Sequence, residues 1–501
     1  MANAPACPMQ FDLSFGKPQG ARRVDEDEPF RILVLADLGA GSAARAAQPL
    51  AGRKPLAVDI DNFDRVFARL APRLEIELDG AALAIEFQSL DDFHPDRLFA
   101  RLAPFVALRE LRGELADPAQ FRRAAAALGA TPAAAAPAAP ADAANAGDIE
   151  RLLGRKPAAP APATAAAAPG LDIAGWLRGI VAPHVEPDNA NEQAQLIAAV
   201  DAAIAAEMRR LLHHPAFQAL EANWRGVERL VRELELGETL QLLLLDATAD
   251  ELAQDIRAHG SDLSRSALHR HLCGPQTEPP DGKRWSLLVS DLAVGADLGE
   301  LQLAAALGAV AGRAGAPLLA AARPSLLGCA GVHQLVDPKS WQPPDADAAA
   351  MWAAIRQSPV APWIGLALPR ILARQPYGSE SDPIGAFAFE ELAPREHEAY
   401  LWGSPAFALA LLAGQAFMEA GWAMELGGGL DIGDLPSHVF REDGEARQQP
   451  CAEVPMSESA GEAVLLNGPM ALLSYRNRNA ARLLRWQSIA EPLQALQGAW
   501  A

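Results

Sequence analysis

The sequence predicts an α/β protein, in which a small α/β domain is joined by an alanine- and proline-rich linker to a larger α/β domain. Short apolar runs alternate with segments whose apolar residues recur every three or four positions, which is typical of a largely parallel sheet. Residues 126–170 consist mostly of Ala and Pro, a composition that does not bury enough apolar surface to fold. The predicted parts are an N-terminal arm (1–28), a small domain (29–125), the linker (126–170), a short amphipathic helix (171–190) and a large domain (191–501).

Composition excludes several classes of function. The chain carries 63 acidic and 43 basic residues, a net charge of −20, which argues against nucleic acid or an anionic membrane as the main partner. Four cysteines without CxxC spacing predict reduced thiols rather than disulfides. The sequence has no run of 18 apolar residues and no signal-peptide pattern at its start. We therefore expect a cytoplasmic protein that does not insert into a membrane.

The first 28 residues are predicted to form an arm. Phe11, Leu13 and Phe15 alternate with polar residues, which indicates a short strand. A frayed terminus is the alternative, because the ends of most domains are poorly ordered. We name these three residues as candidate interface or packing residues.

The small domain is predicted to begin with a strand over 30–38, where the sequence reads FRILVLADL. A helix over 57–74 follows, with Asp61 or Asn62 as its N-cap. Alternating apolar residues on both sides of Asp79-Gly80 predict a hairpin. One or two helices complete the domain.

A short amphipathic helix is predicted between the linker and the large domain, in the sequence LDIAGWLRGIVAPHV. Its apolar residues are Leu171, Trp176, Leu177, Ile180 and Val181. From the residues alone, a helix that docks on its own domain is the simplest interpretation.

The large domain opens with a predicted helix–break–helix. Apolar residues between Ile197 and Leu211 recur at spacings of three and four, and Pro215 must end that helix. Pro is well tolerated as the first residue of the next helix. Phe217 and Trp224 lie on the apolar stripe of this second helix, so we name them as candidate interface or packing residues. Two apolar stripes that meet at a fixed break make a packing surface rather than a reaction centre.

The rest of the large domain alternates strands with helices. Strands are predicted over 239–247, 284–292, 317–322 and 361–368, and helices are predicted over 249–259, 298–315 and within 397–422. Trp402 precedes the apolar run of the last helix. We name it as a candidate interface or packing anchor, because large aromatic side chains more often serve packing than ligand binding.

Chemical motifs are weak throughout. Gly39-Ala-Gly-Ser follows a predicted strand, as a phosphate loop does, but no Lys-Ser/Thr follows at the required spacing. His269, His271 and Cys273 are close in sequence, yet a zinc site would need further ligands at suitable spacing. The sequence therefore predicts no catalytic, cofactor-binding or metal-binding residue.

Several segments resemble the contractile sheath proteins of bacterial type VI secretion systems. The first 125 residues resemble the small sheath subunit in PFRILVLADL (29–38), DIDNFDRVFARLAPRLEIEL (59–78) and FQSLDDFHPDRLFARLAPFVALRELRGEL (87–115). Residues from about 190 to 490 resemble the large sheath subunit in LLHHPAFQALEANWRGVERLV (211–231), LPRILARQPYG (368–378) and YLWGSPAFALA (400–410).

The resemblance implies a fused small-plus-large sheath subunit, a structural protein rather than an enzyme. Such a subunit polymerises around an inner tube and drives it outward by contraction. The implied partners are other sheath subunits or copies of this chain, the inner-tube protein, the baseplate and an AAA+ recycling unfoldase. In the family the unfoldase recognises a helix near the start of the large subunit. The helix with Leu171, Trp176, Leu177 and Ile180 has a comparable position, so we name it as a candidate for that role.

Large sheath subunits continue into a further C-terminal domain, and we expect this chain to lack it. That expectation motivates an alternative function, a sheath-like accessory protein that caps, nucleates or regulates a sheath made of separate subunits without polymerising itself. An enzyme on an α/β scaffold is a third hypothesis, which no motif supports.

Overall fold

The computed structural model describes residues 27–78, 81–128, 177, 180–181, 192–260, 262–274 and 283–500. The strands in these residues are β1 (Phe30–Ala36), β2 (Leu56–Val58), β3 (Arg73–Leu78), β4 (Ala81–Glu86), β5 (Leu240–Asp246), β6 (Leu287–Val294), β7 (Leu318–Ala322), β8 (Ile364–Leu368), β9 (Ile371–Leu372), β10 (Trp402–Gly403), β11 (Asp431–Ile432), β12 (Val439–Glu442), β13 (Glu445–Gln448), β14 (Met470–Ser474) and β15 (Ala481–Leu483).

The helices in the same residues are α1 (Ala43–Ala47), α2 (Phe63–Leu70), α3 (Pro95–Arg101), α4 (Ala103–Ala116), α5 (Phe121–Ala127), α6 (Glu192–Leu212), α7 (Pro215–Glu233), α8 (Ala249–His259), α9 (Ala267–Cys273), α10 (Leu298–Ala314), α11 (Ala346–Arg356), α12 (Pro405–Ala420) and α13 (Glu458–Leu466). Short 3₁₀ turns connect several of them.

A nine-stranded mixed sheet organises the described residues, in the order β11-β15-β14-β8-β7-β6-β1-β5-β2. The six strands from β14 to β5 are parallel, whereas β2 pairs antiparallel with β5 and β15 pairs antiparallel with β14. Helices are interspersed among the strands along the chain. The predicted α/β fold class and the largely parallel sheet are therefore confirmed.

The inner strand β1 comes from the predicted small domain, while both its neighbours come from the predicted large domain. All seven residues of β1 are buried, as expected for a strand of a parallel sheet that is covered on both faces. β1 pairs with β5 from Phe30 opposite Leu240 to Ala36 opposite Asp246, and with β6 on its other side. The two predicted domains therefore share one sheet. Their boundaries in the sequence stay predictions.

The break at Pro215 has the predicted form. α6 ends at Leu212 and α7 begins at Pro215, and the His214 ring accepts a hydrogen bond from the backbone N–H of Ala216 at 3.3 Å. The N-cap predicted for α2 is at the expected residue, but its side chain does not form the expected hydrogen bond. Asn62 is the N-cap residue but makes no side-chain cap bond. Asp59 instead accepts hydrogen bonds from the N–H groups of the loop before the helix.

Helix α12 is the most apolar helix of the described residues. By length and composition the segment Pro405–Ala423 is apolar enough to cross a membrane, but 56% of its most apolar stretch is buried inside the protein. A core helix has the same composition. α12 packs closely on α7, since a Cβ atom added at Gly226 would lie 2.7 Å from the Phe407 ring and one at Gly414 would lie 2.7 Å from Leu234.

The chain divides into two compact units. One contains residues 1–78, 82–97 and 209–501 and includes the nine-stranded sheet, and the other contains residues 79–81 and 98–208. Within the second unit, Arg112 pairs with Asp201 at 2.5 Å, and the Gln193 side chain donates a hydrogen bond to the Leu115 carbonyl at 2.8 Å.

Several predicted features lie outside the described residues. They are the arm residues Phe11, Leu13 and Phe15, the linker after residue 128, the hairpin turn at residues 79–80, and Leu171 and Trp176 of the amphipathic helix. Leu177, Ile180 and Val181 have helical backbone, and the last two are buried.

Candidate functional site

The structural feature that fits the sequence resemblance best is the set of contacts that residues 27–78 and 82–97 make with residues 209–500, which we call the seam. These residues belong to one compact unit. Trp224 lies at its centre and is 0% exposed. Its ring centroid is 4.3 Å from that of Phe67 and 5.8 Å from that of Phe63, and its indole N–H donates a hydrogen bond to the Leu38 carbonyl at 2.9 Å. The tryptophan of α7 therefore joins α2 to the end of β1.

Phe217 extends the same aromatic cluster by two turns along α7. Its ring centroid is 5.4 Å from Phe93 and 6.0 Å from Phe87, and those two rings stack on each other at 4.2 Å. All three rings are fully buried. Phe217 and Trp224 thus lie together in the seam, where packing inside the chain is the role that their contacts describe. A contact with a neighbouring subunit stays a prediction for both.

A second aromatic cluster covers the start of β1. The ring of Phe30 lies 4.8 Å from Phe417, 5.5 Å from Trp422 and 6.0 Å from Trp500. The Trp422 N–H donates to the Glu28 carbonyl at 2.6 Å. The seam is therefore closed by aromatic rings at both ends of β1.

Charged groups form the other side of the seam. Asp246, at the end of β5, accepts hydrogen bonds from the N–H groups of Leu38 at 2.9 Å and Gly39 at 2.8 Å. Its carboxylate also pairs with Arg45, which in turn pairs with Asp37. Burial lowers the pKa of Arg45, but its hydrogen bonds and charge interactions with Asp246 and Asp37 outweigh this, so the net shift is upward. The Arg45 guanidinium therefore stays charged at neutral pH.

Arg53 extends this charged side. Its guanidinium donates to the Asp246 carbonyl at 2.8 Å and to both oxygens of Glu251, one of them at 2.8 Å. Glu251 also completes a capping box with Thr248 at the start of α8. Burial raises the pKa of Glu251, but hydrogen bonds from Arg53 and from the Thr248 N–H lower it by more. The net shift is downward, so the carboxylate is ionised. The Arg53 fork thereby fixes the loop before β2 against the end of β5.

The Gly39–Ser42 loop resembled a phosphate loop in the sequence, and the structure gives it another role. The Gly39 N–H is already bound to Asp246, and a Cβ atom at Gly39 would lie 2.7 Å from an Asp246 carboxylate oxygen. An internal carboxylate therefore occupies the position that a phosphate would take.

The SLDDFHPD motif also makes a seam contact. Asp92 belongs to a capping box with Ser89, as its position at a helix start indicated. Asp96 instead accepts hydrogen bonds from the N–H groups of Gly385 and Ala386, both at 2.9 Å. The His94 ring meets Tyr377 edge-on at 5.0 Å. The motif of the first segment thus contacts both LPRILARQPYG and the region that follows it.

Within the large segment, Arg374 of LPRILARQPYG forms a buried ion cluster with residues of α7. Arg374 donates to Glu221 at 2.8 Å and to Glu391 at 2.7 and 2.9 Å, and Arg225 also binds Glu221 at 2.8 Å. Burial raises the pKa of Glu221, but the charges of Arg374 and Arg225 lower it more. Sequence reasoning missed this cluster, because Arg374 lies 153 residues from Glu221 and 17 residues from Glu391.

Trp402 lies in a different cluster. Its ring stacks on His397 at 5.2 Å and lies 5.4 Å from Tyr400, and its N–H donates to the His397 carbonyl at 2.9 Å. His397, Glu398 and Glu453 have ligand atoms within 4.8 Å of one another, close enough to hold a metal ion. However, Arg370 pairs with both carboxylates, and it reaches Glu398 at 3.0 and 3.1 Å. The Arg370 guanidinium supplies the positive charge that a metal ion would bring. His397, Glu398, Glu453 and Arg370 therefore form an ion cluster that is already neutralised.

A crevice of about 530 Å³ opens beside this cluster, at the carboxyl ends of β6, β7 and β8. Ligands of open α/β sheets bind at such edges. Its lining includes the thiol of Cys329, whose pKa burial raises to about 11, so this thiol is protonated at neutral pH and is a poor nucleophile. Asp291 also lines the crevice, and burial raises its pKa to about 6.

Comparison with known proteins agrees with the division of the chain. The family described as EvpB/VC_A0108, tail sheath N-terminal domain (VipB), matches residues 194–490, more than half of the chain. The family described as type VI secretion system, VipA, VC_A0107 or Hcp2, matches residues 11–124. Each match falls on one side of the predicted linker.

Two sheath proteins of Pseudomonas aeruginosa are similar to the same two segments. The type VI secretion system sheath protein TssC1 is 29% identical over 309 residues, which cover 60% of this chain and 61% of the relative. TssB1, also a type VI secretion system sheath protein, is 34% identical over 96 residues, which cover 18% of this chain and 55% of the relative. The chain thus spans less than two thirds of either relative. The extent of the VipB match nevertheless shows that the chain belongs to the tail sheath family of type VI secretion systems, with a VipA-type segment before its VipB-type segment.

Proposed function

We propose that this chain is a contractile-sheath subunit that combines the small and the large sheath subunit in one polypeptide. It acts by assembly around an inner tube and by contraction, and it does no chemistry. The observation that carries this proposal is the position of β1 from the VipA-type segment between β5 and β6 of the VipB-type segment. A strand buried on both sides makes the two segments one mechanical body.

Two structural features support a mechanical role. The aromatic and charged contacts of the seam resist separation of the segments, so a change in sheath length would come from movement between subunits rather than within this unit. Covalent fusion keeps the two segments at a fixed 1:1 ratio and at high effective concentration.

The proposed partners are copies of this chain or other sheath subunits, the inner-tube protein, the baseplate and a recycling AAA+ unfoldase, all in the cytoplasm. Phe11, Leu13 and Phe15 are proposed to contact a neighbouring subunit. The helix around Leu177 and Ile180 is the proposed unfoldase site, and because Ile180 is 7% exposed, recognition would require this helix to be released first.

Negative-stain electron microscopy of the purified chain, alone and with inner-tube protein, tests the proposal. Hollow cylinders are expected, and a Phe11→Ser/Phe15→Ser variant is expected to lose them while it keeps its melting temperature. Discrete small oligomers or monomers from the unaltered chain would contradict polymerisation. That result would favour the accessory protein that caps, nucleates or regulates a sheath of separate subunits.

A further inference from the structure

An exposed turn with unpaired positive charge stands out in this acidic protein. From residue 467 to residue 490 the sequence contains four arginines and no acidic residue, although the whole chain has a net charge of −20. Arg476, Arg478 and Arg482 are exposed, on β15 and on the turn that joins it to β14. We call residues 475–482 the arginine turn.

The arginine turn is held rigidly. The Tyr475 N–H binds the Ala480 carbonyl at 3.0 Å, and the Leu435 N–H binds the Asn479 carbonyl at 2.8 Å. The Gln448 side chain binds Asn479 at 3.1 Å. A fixed loop loses little entropy when it binds a partner, so the turn is well prepared to present its side chains.

Two of its guanidinium groups are not neutralised inside the unit. Arg482 lies opposite Asp431 in the β11–β15 ladder, and the Tyr475 hydroxyl donates to the same carboxylate at 2.6 Å. Arg476 and Arg478 form no ion pair with any carboxylate of the described residues, and the Arg478 guanidinium lies over the Tyr475 ring, 5.8 Å from its centroid. With 63 acidic residues in the chain, two arginines without such a partner on a rigid turn indicate an acidic partner outside this copy.

A complementary surface lies on the β3–β4 hairpin. Leu74, Ile76 and Leu78 of β3 are buried, which leaves the alternate residues on the outer face. Glu75, Glu77 and Glu86 are exposed there, and we call them the acidic hairpin face. Arg73 neutralises Glu75 at 2.8 Å. In the described part of the chain, Glu77 and Glu86 take part in no ion pair.

We propose that the arginine turn of one copy docks on the acidic hairpin face of a second copy. This inference rests on the proposed function, because it requires copies to assemble. The turn belongs to the VipB-type segment and the hairpin to the VipA-type segment, so the contact joins unlike surfaces. Contacts between unlike surfaces form open helical polymers unless the rotation between copies happens to close a ring. Nucleic acid fits the turn less well, since the rest of the chain repels it.

A pair of charge-reversed variants tests the contact. Arg476→Glu/Arg478→Glu makes the turn acidic, and Glu77→Arg/Glu86→Arg makes the hairpin face basic. Each variant alone sets like charges against each other, so self-association measured by analytical ultracentrifugation in 50 mM salt is expected to weaken about tenfold. When the two variants are mixed, opposite charges face each other at every contact, and association is expected to return. The effect is expected to shrink at 500 mM salt, where screening is strong.

Arg122→Glu/Arg123→Glu is the matched control, because it makes the same change in net charge on two exposed arginines of α5. It is expected to associate like the unaltered chain. Equal weakening in this control, or mixed variants that bind each other no better than themselves, would overturn the contact. Cylinder formation by the unaltered chain tests the proposed function separately. Tight binding between the mixed variants without any cylinders would contradict polymerisation and still support the contact.

Discussion

The aromatic and the charged sides of the seam hold the same two segments together by different physics. On the aromatic side, Trp224 and the phenylalanines around it exclude water over a large area, and such packing is strong but only weakly directional. On the charged side, Asp246 binds two backbone N–H groups and a guanidinium at fixed angles. Buried ion pairs add little net stability but are costly to break on one side. The aromatic side therefore supplies most of the stability, and the charged side fixes the conformation of the loop after β1.

The largest effect is expected from Trp224→Ala. It removes a fully buried indole and leaves a cavity between α7 and α2, so the free energy of unfolding should fall by about 3–5 kcal/mol. Equilibrium denaturation with urea measures it. Trp352→Ala is the control, since that ring is half-buried on α11, away from the seam, and should cost about 1 kcal/mol. Equal losses from both variants would contradict a special role for the seam.

Asp246→Asn is expected to cost about 3 kcal/mol, because the amide leaves Arg45 with a buried, half-compensated charge. Arg45→Met alone should cost a similar amount. The double variant should cost no more than either single variant, since the two groups act as a pair. Urea denaturation of all three variants completes this cycle. Losses that simply add would show that the charged side is not a coupled cluster.

Asp291→Asn should be stabilising, which sets Asp291 apart from the paired Asp246. Burial raises its pKa from 3.8 to about 6, and no ion pair to a basic group is found for it among the described residues. Below pH 3.8 the carboxyl is protonated in the folded and unfolded states, so the variant should change nothing. Between pH 3.8 and 6 the carboxyl is ionised in the unfolded state but still protonated in the folded state, so the folded state loses stability as the pH rises, and above pH 6 it bears the full cost of a buried carboxylate. Unfolding at pH 4 and pH 8 should show a gain of about 2 kcal/mol at pH 8 alone. A gain at both pH values would contradict this titration.

Arg53→Lys is expected to have the smallest effect, about 1 kcal/mol. Lysine keeps the charge but loses the two-pronged contact with Glu251 and the bond to the Asp246 carbonyl. Thermal unfolding measures it, with the exposed Arg65→Lys as the control. A loss as large as that of Asp246→Asn would mean that fork geometry matters more than charge.

The sequence revealed what depends on local pattern. The strand at Phe30, the break at Pro215 and the alternation of strands with helices follow from neighbouring residues, and the structure confirms them. β2 was missed, because three residues after a proline at a sheet edge give too short a pattern to recognise.

The neighbours of β1 and the partners of its charged groups depend on contacts about 200 residues apart. The spacing of apolar residues in a single sequence carries no information about such distant contacts, so the seam itself could not be predicted. The Gly39 loop shows the same limit. Its glycines were visible in the sequence, but the carboxylate that fills the loop lies 207 residues away.

Cutting the chain between its two segments tests most directly whether they form one folded unit. A protease site placed within residues 126–170 would allow cleavage of the purified protein without a change in any seam residue. The two fragments are predicted to elute together in size-exclusion chromatography at micromolar concentration and to unfold in one transition. The same cut in the Trp224→Ala variant should release them at a lower urea concentration. Separation of the fragments from the unaltered seam under native conditions would contradict the claim that β1 makes the two segments one body.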